Sequence, residues 1–135
     1  MKLDIRWGYN NIRIQKGDEW KVAFKTNKGL FKPTVMFFGM CNSPATFQAM
    51  MDNIFAGIID GKLVIIYMDD ILIFAETKEE LERITKMVLA KLREHDLFLK
   101  AKKCEFSKLK IEYLGMVIEE GRISMDPIKL AGIQD

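Results

Sequence analysis

Two adjacent carboxylates, Asp69 and Asp70, stand between two strongly apolar runs, Leu63-Val64-Ile65-Ile66-Tyr67 and Ile71-Leu72-Ile73-Phe74. Aspartate is ordinary in a turn, where its side chain caps nearby backbone N–H groups, and turn chemistry alone accounts for an isolated Asp-Asp pair. Asp4 weighs against so plain a reading, because it lies inside another apolar stretch, Leu3-Asp4-Ile5, where an unpaired charge costs several kcal/mol. Three carboxylates at the ends of neighbouring strands repel one another, and a divalent cation relieves that repulsion. All-oxygen coordination points to magnesium, or manganese, rather than zinc. Two such ions roughly 3.5–4 Å apart activate an attacking hydroxyl and stabilise a leaving pyrophosphate, the chemistry of nucleotidyl transfer.

The composition narrows the alternatives. The chain has 135 residues and 49% hydrophobic content, enough for one domain with a real core. Cys41 and Cys104 stand far apart and His95 is the single histidine, so a zinc site or a disulfide framework has almost no support. No apolar run follows Met1-Lys2, and the longest apolar stretch, Leu63 to Met68, is far too short to cross a bilayer, which predicts an intracellular protein without a membrane partner. The net charge is only +2, yet residues 91–110 carry seven basic side chains, Lys91, Arg93, Lys100, Lys102, Lys103, Lys108 and Lys110, against three acidic ones. That segment is either a solvated face or a phosphate-facing surface.

The elements that must position these residues follow from periodicity. Leu3-Asp4-Ile5 reads as a short strand, Ile12-Arg13-Ile14 and part of Trp20–Phe24 alternate, and Leu30–Phe38 is extended around Pro33, so the first forty residues are predicted to be mostly sheet. A helix follows, with Ser43 as N-cap, Pro44 at its first position and Phe47, Met50, Met51, Ile54, Phe55 and Ile58 on one stripe before Gly61. The two apolar runs about Met68-Asp69-Asp70 predict a tight β-hairpin. Thr77-Lys78-Glu79-Glu80 is a capping box opening a second helix whose face is Leu81, Ile84, Val88 and Leu92, ending near Glu94. Short strands are predicted at Leu97–Leu99, Lys110–Tyr113, Met116–Ile118 and Arg122–Ser124, with a turn at Glu120-Gly121. The order is that of an α+β fold: an antiparallel sheet of split βαβ, ferredoxin-like type, with two helices covering one face and the other face free for a site.

At this point the residues resemble a known family. Tyr67-Met68-Asp69-Asp70 followed by Ile71-Leu72-Ile73 is similar to the Y-x-D-D motif of reverse transcriptases, and Leu3-Asp4-Ile5-Arg6-Trp7-Gly8-Tyr9 to their first acidic motif. Phe38-Gly39-Met40-Cys41-Asn42-Ser43-Pro44-Ala45-Thr46-Phe47-Gln48 resembles the F-G-x-x-N-[AS]-P-A-T-F-Q segment. Lys102-Lys103-Cys104-Glu105-Phe106 is similar to the lysine-bearing fourth motif, and Glu112-Tyr113-Leu114-Gly115 to the primer-grip turn. The likeness covers nearly the whole chain and is closest in character to gypsy-class LTR retrotransposons, particularly fungal ones.

The resemblance implies an RNA-directed DNA polymerase that joins dNTPs to a primer 3′-hydroxyl on an RNA or DNA template. Asp4, Asp69 and Asp70 would bind two magnesium ions, with the Ile5 carbonyl assisting. Trp7 and Gly8 would offer backbone N–H groups to the triphosphate, and Tyr9 would be the steric gate against a ribose 2′-hydroxyl. Phe38 and Gly39 lie in the nucleotide-binding stretch, Phe38 standing where retroviral enzymes carry a glutamine whose contact does not transfer. Gln48 would support template and nucleotide. Lys103, or its neighbour Lys102, fills the position of the general acid for pyrophosphate. Tyr67, Met68, Tyr113, Leu114 and Gly115 would meet primer and template.

Residues 1–135 are thus expected to be one core fragment, a palm with an inner fingers hairpin at about 11–40, without the N-terminal fingers, thumb, connection and RNase H regions that the family places around it. Such an element works in a cytoplasmic virus-like particle or in the nucleus. Two alternatives stand beside this reading. One is a non-catalytic retroelement remnant with at most weak nucleic-acid binding. The other is a different palm-type enzyme, although neither the G-G-[DE]-E-F of cyclases nor the G-D-D of viral RNA polymerases occurs.

Overall fold

Two short apolar strands can face each other only if the turn between them is tight, and the computed structural model, which describes residues 1–61 and 63–134, has that arrangement. Strands β4 (Val64–Tyr67) and β5 (Asp70–Ile73) pair antiparallel with Tyr67 opposite Asp70, leaving Met68-Asp69 as the turn. Strand β1 (Lys2–Asp4) pairs with the free edge of β5, Leu3 opposite Ile71 and Asp4 opposite Asp70, giving the order β1-β5-β4. The outer edge of β1 is met by the segment 98–105. Lys100 N–H donates to the Asp4 carbonyl at 2.9 Å, and Lys2 and Glu105 exchange both main-chain bonds at 2.9 and 2.8 Å. A 3₁₀ turn at Ala101–Lys103 lifts the chain between these contacts, so the strand predicted at Leu97–Leu99 is reduced to isolated bridges at Leu99 and Glu105.

Strand periodicity sorts the sheet into two faces. Leu3, Ile5, Val64, Ile66, Ile71 and Ile73 are buried on one of them, beneath the helices α1 (Ser43–Ile59) and α2 (Lys78–Glu94). Helix α1 contributes Phe47, Met51 and Phe55, four residues apart, and α2 contributes Ile84, Val88 and Leu92. Met50, Ile54 and Ile58, predicted on the same stripe, flank it and are half-buried. Thr77 Oγ1 accepts from Glu80 N–H at 3.2 Å, with Glu79 and Glu80 in the first turn of α2 and Lys91 and Arg93 in the last, as the helix dipole favours. The start of α1 differs from the prediction. Asn42 occupies the cap, and Ser43 is already helical because its hydroxyl donates to the Phe37 carbonyl at 3.2 Å, tying the preceding loop to the helix.

The first forty residues contain much less sheet than their alternation predicts. After β1, Gly8–Asn11 and Glu19–Val22 are 3₁₀ turns, and the further strands before residue 40 are β2 (Phe24–Thr26) and β3 (Gly29–Phe31), a two-stranded hairpin exposed throughout. With neither face against a core, alternation there reports no burial and imposes no register. The base of the excursion is closed by residues 12–14 against 34–36, through Ile14 N–H to the Thr34 carbonyl at 3.0 Å and Met36 N–H to the Ile12 carbonyl at 2.8 Å.

Strands β6 (Lys110–Tyr113), β7 (Met116–Glu119) and β8 (Arg122–Met125) form the predicted meander, followed by α3 (Pro127–Gln134). Ile111 and Tyr113 pack with Leu72, so the second face of the central sheet is covered at Leu72 and open toward its aspartates. The β6–β7 turn is Leu114-Gly115, with φ of 52° and 77°, the two positive values that a type I′ turn requires.

Leucine is strained at that first turn position, where asparagine is favoured. Leu114→Asn is expected to raise stability by about 0.5–1 kcal/mol in urea unfolding, since the left-handed backbone is the dominant cost and Leu114 is 46% exposed. An unchanged or lower midpoint would show that the leucine side chain outweighs its backbone strain.

Candidate active site

The register of β1 against β5 puts Asp4 and Asp70 directly opposite each other, and Ile5 N–H donates to the Asp69 carbonyl at 2.8 Å, so the turn is fastened beside β1. Three carboxylates therefore share one end of the sheet. Asp4 is only 7% exposed, and its Oδ1 is fully buried with no hydrogen-bond donor among the described residues. Lys100 Nζ lies 3.2 Å from that oxygen, close enough for charge pairing but off the hydrogen-bonding direction. Burial pushes the Asp70 carboxyl above its ordinary value; Lys2 pulls it back, Asp69 and Asp4 push it further up, and Lys103 pulls it down.

Among the described residues, no three His, Cys, Asp or Glu side chains converge closely enough, as they stand, to hold one ion. The donor chemistry nevertheless fits a hard divalent cation: the cluster is all carboxylate, crowded with like charge, and contains a buried oxygen lacking a donor. Asp4, Asp69 and Asp70 are the residues that would hold it, after side-chain rotation.

A second group of predicted residues gathers against the turn. Gly8, Tyr9, Phe38, Phe47 and Asp69 line a cavity of about 30 Å³, room for roughly one water. A Cβ on Gly8 would lie 3.1 Å from Phe47 Cζ and 3.4 Å from Asp69 Cβ, so glycine is what lets this backbone lie close to the carboxylates. The Tyr9 ring meets Phe38 edge-on at 4.9 Å and Phe47 at 5.7 Å. Phe38, 81% exposed, forms the outer lip and is followed by Gly39 at φ 98°. Trp7 is exposed at φ 53°, with the Arg6 guanidinium 4.4 Å from its ring centre.

Gln48 reaches the turn from the opposite side. Its Oε1 accepts from Met68 N–H at 2.7 Å, while Nε2 donates to the Ile66 carbonyl at 3.1 Å and to Asp52 Oδ1 at 2.8 Å. The side chain predicted to support template and nucleotide thus has its amide engaged in holding the hairpin to α1. Asp52, one helical turn further along, completes the clamp and is absent from the sequence prediction, although its four-residue spacing from Gln48 was the available signal. Lys100 was also missed as a site residue, since only the β1 edge contacts bring it to Asp4. Of the predicted Lys102-Lys103 pair, both exposed on the 3₁₀ turn, Lys103 acts electrostatically on Asp70.

The β6–β7 turn joins the site from below. Tyr113 is 3% exposed, packed on Leu72, and its hydroxyl has no partner among the described residues; burial and then the charge of Asp70 push it up to about 12. Leu114 stays exposed beside it, and the Lys129 side chain lies against Gly115. Tyr67, exposed, shares the open face with Asp70, and Met68 is held at the tip at φ 56°.

The chain as a whole is similar to known proteins. The family described as reverse transcriptase (RNA-dependent DNA polymerase) matches residues 1–118. The transposon Tf2-3 polyprotein of Schizosaccharomyces pombe is 39% identical over 119 residues, 88% of this chain, and the Tf2-7 polyprotein is 38% identical over the same length. The chain spans 9% of the length of these polyproteins. Among solved structures, the foamy viral protease-reverse transcriptase in complex with RNA/DNA hybrid aligns with a TM-score of 0.88 and 25% identity, covering 99% of this chain and 18% of that one. A second structure of that enzyme, with double-stranded DNA, aligns at 0.89 and 25% identity, covering 99% of this chain and 23% of its own. No helix among the described residues is long and apolar enough to cross a membrane.

The raised Asp70 value has a defined sign. The folded chain holds that proton more tightly than the unfolded chain does, so stability falls as pH rises from the ordinary 3.8 through the raised value. In chelator, Asp70→Asn is expected to melt above wild type at pH ~7 and to lose that advantage as pH falls below 3.8. Equal melting at both ends would refute the crowding argument. Gln48→Ala, which leaves Met68 N–H without its acceptor, is expected to cost about 1–3 kcal/mol in urea unfolding. A loss under a few tenths would mean that water replaces the clamp.

Proposed function

Since the chain belongs to the reverse transcriptase (RNA-dependent DNA polymerase) family, we propose that it is the polymerase core of a gypsy-class retrotransposon and that Asp4, Asp69 and Asp70 hold two magnesium ions, with the Ile5 carbonyl assisting. The single observation that carries this reading is the buried, donor-less Asp4 oxygen standing in the register that faces Asp70, beside Asp69. A hairpin stabilised by turn chemistry alone has no use for a third carboxylate buried on the neighbouring strand. We read β1, β4, β5 and the 98–105 segment, under α1 and α2, as the split βαβ palm, and residues 11–40 as the inner fingers excursion. The rest of the polymerase, including fingers, thumb and RNase H, would come from parts of the polyprotein outside this chain.

In this reading, the primer 3′-hydroxyl attacks the α-phosphate of a dNTP and pyrophosphate leaves. Divalent cations, which the family generally uses, supply charge neutralisation and a more acidic hydroxyl when bound at such a cluster. This chain's own residues supply the positioning. Gly8, whose missing Cβ leaves room against Phe47 and Asp69, would let the Trp7–Tyr9 backbone approach the triphosphate and offer its N–H and that of Trp7 to the phosphates. Tyr9, braced by Phe38 and Phe47, closes the space that a ribose 2′-hydroxyl would need, which makes DNA the product. Gln48 and Asp52 hold Met68 and hence the height of Asp69. Lys103 donates a proton to the leaving pyrophosphate. Leu114, an exposed apolar residue kept at a strained turn position, presents a contact for the primer together with Gly115 and Tyr67.

Primer extension on an oligo(dT)-primed RNA template, with this chain carried in its full polyprotein, tests the proposal. Asp69→Asn is expected to lower dTTP incorporation at least about a hundredfold. Undiminished synthesis by the variant would sink the site assignment, and no synthesis by wild type would favour a non-catalytic remnant that binds nucleic acid only weakly.

A further inference from the structure

We propose that Lys100 is the resident counter-cation of Asp4, and that a divalent ion entering the cluster must displace the lysine, so that Lys100 sets the affinity of the site for metal. The inference rests on the reading that Asp4, Asp69 and Asp70 bind metal.

Asp4 cannot leave its position, because β1 is paired on both edges and its carbonyl accepts from Lys100 N–H at 2.9 Å. Its Oδ1 is buried without a hydrogen-bond donor among the described residues, and the register sets Asp4 opposite Asp70. A carboxylate so placed needs a positive charge whether or not a metal is present. Lys100 supplies it at 3.2 Å.

The lysine is delivered by main-chain structure rather than by a chance surface encounter. Its N–H is bound to the Asp4 carbonyl, and its own carbonyl accepts from Lys103 N–H at 2.9 Å and from the Cys104 thiol at 3.4 Å. The backbone at residue 100 is therefore anchored on both sides while the four-carbon stem remains free to turn. The Lys100 side chain is 32% exposed where that of Asp4 is 11% exposed, so the ammonium has a route to solvent that the carboxylate lacks. Lys2 and Lys103 act on Asp70 through space without a close ion pair, whereas Lys100 touches Asp4 itself, and its off-axis pairing adds no hydrogen bond that a divalent ion would have to match. Lysine suits an exchangeable counter-ion, being a point charge on a flexible stem, whereas arginine would grip the carboxylate with a rigid fork.

Manganese binding to the 135-residue chain, followed by electron paramagnetic resonance, together with melting in chelator, provides the test. Lys100→Met is expected to bind Mn²⁺ roughly five- to tenfold more tightly than wild type, as loss of a partly buried competing pair allows, and to melt lower in chelator. Lys100→Gln gives the same measurement if the methionine variant is too unstable. In an Asp4→Asn background, Lys100→Met should leave Mn²⁺ affinity unchanged. If Asp4→Asn weakens binding but neither Lys100 variant alters it, the counter-cation role is overturned and the metal site stands. If wild type and Asp4→Asn bind Mn²⁺ equally, the site reading itself fails and takes this proposal with it.

Discussion

Two like charges set directly opposite each other on antiparallel strands destabilise the pairing, and the β1–β5 ladder does this with Asp4 and Asp70. The rest of the structure can be understood as what makes that juxtaposition tolerable. Leu3 and Ile71, the next pair along, are fully buried and anchor the ladder from the helix side. The Ile5–Asp69 main-chain bond closes it at the tip. On the open face Lys2, Lys100 and Lys103 supply positive charge around the carboxylates. The cost of bringing the aspartates together is thus met by a hydrophobic layer on one side of the sheet and a loose cationic ring on the other.

How legible this was in the sequence depended on burial. The hairpin, α1 and α2 are readable because one face of each rests on the common core, and the spacing of Phe47, Met51 and Phe55 or of Ile84, Val88 and Leu92 records it. The β6–β8 meander is readable because Ile111 and Tyr113 alternate inward beneath a two-residue turn. The first forty residues mislead for the converse reason. Trp20, Phe24, Leu30 and Phe31 are all exposed, so their hydrophobicity describes a surface and carries no sheet register.

The site residues divide along similar lines. Asp4, Asp69 and Asp70 can be singled out because charge inside an apolar run is conspicuous, whereas Gly8 and Tyr9 enter only through the resemblance. Ser43 was read as a cap, but a hydroxyl can serve its own helix or another loop, and the Phe37 carbonyl takes it. The place of Gln48 in template and nucleotide support comes from the resemblance alone, while its hydrogen bonds to the hairpin depend on a neighbouring turn that periodicity does not record. Lys100 was one basic residue among seven. Its place beside Asp4 depends on a 3₁₀ turn interrupting a strand, and no periodicity announces such an interruption.

The Gln48 clamp also bears on time rather than place. A two-residue hairpin tip ordinarily exchanges its amide protons as fast as local fraying allows, because water is the partner of those groups. The Met68 amide is instead bonded to a side chain rooted in α1, whose Phe47 and Met51 lie wholly inside the core. Releasing that proton requires the Gln48 amide to turn away or the hairpin to lift from the helix, so exchange at the tip is slower than at a water-bonded turn, and the backbone under Asp69 moves with α1 while its carboxylate stays free to rotate.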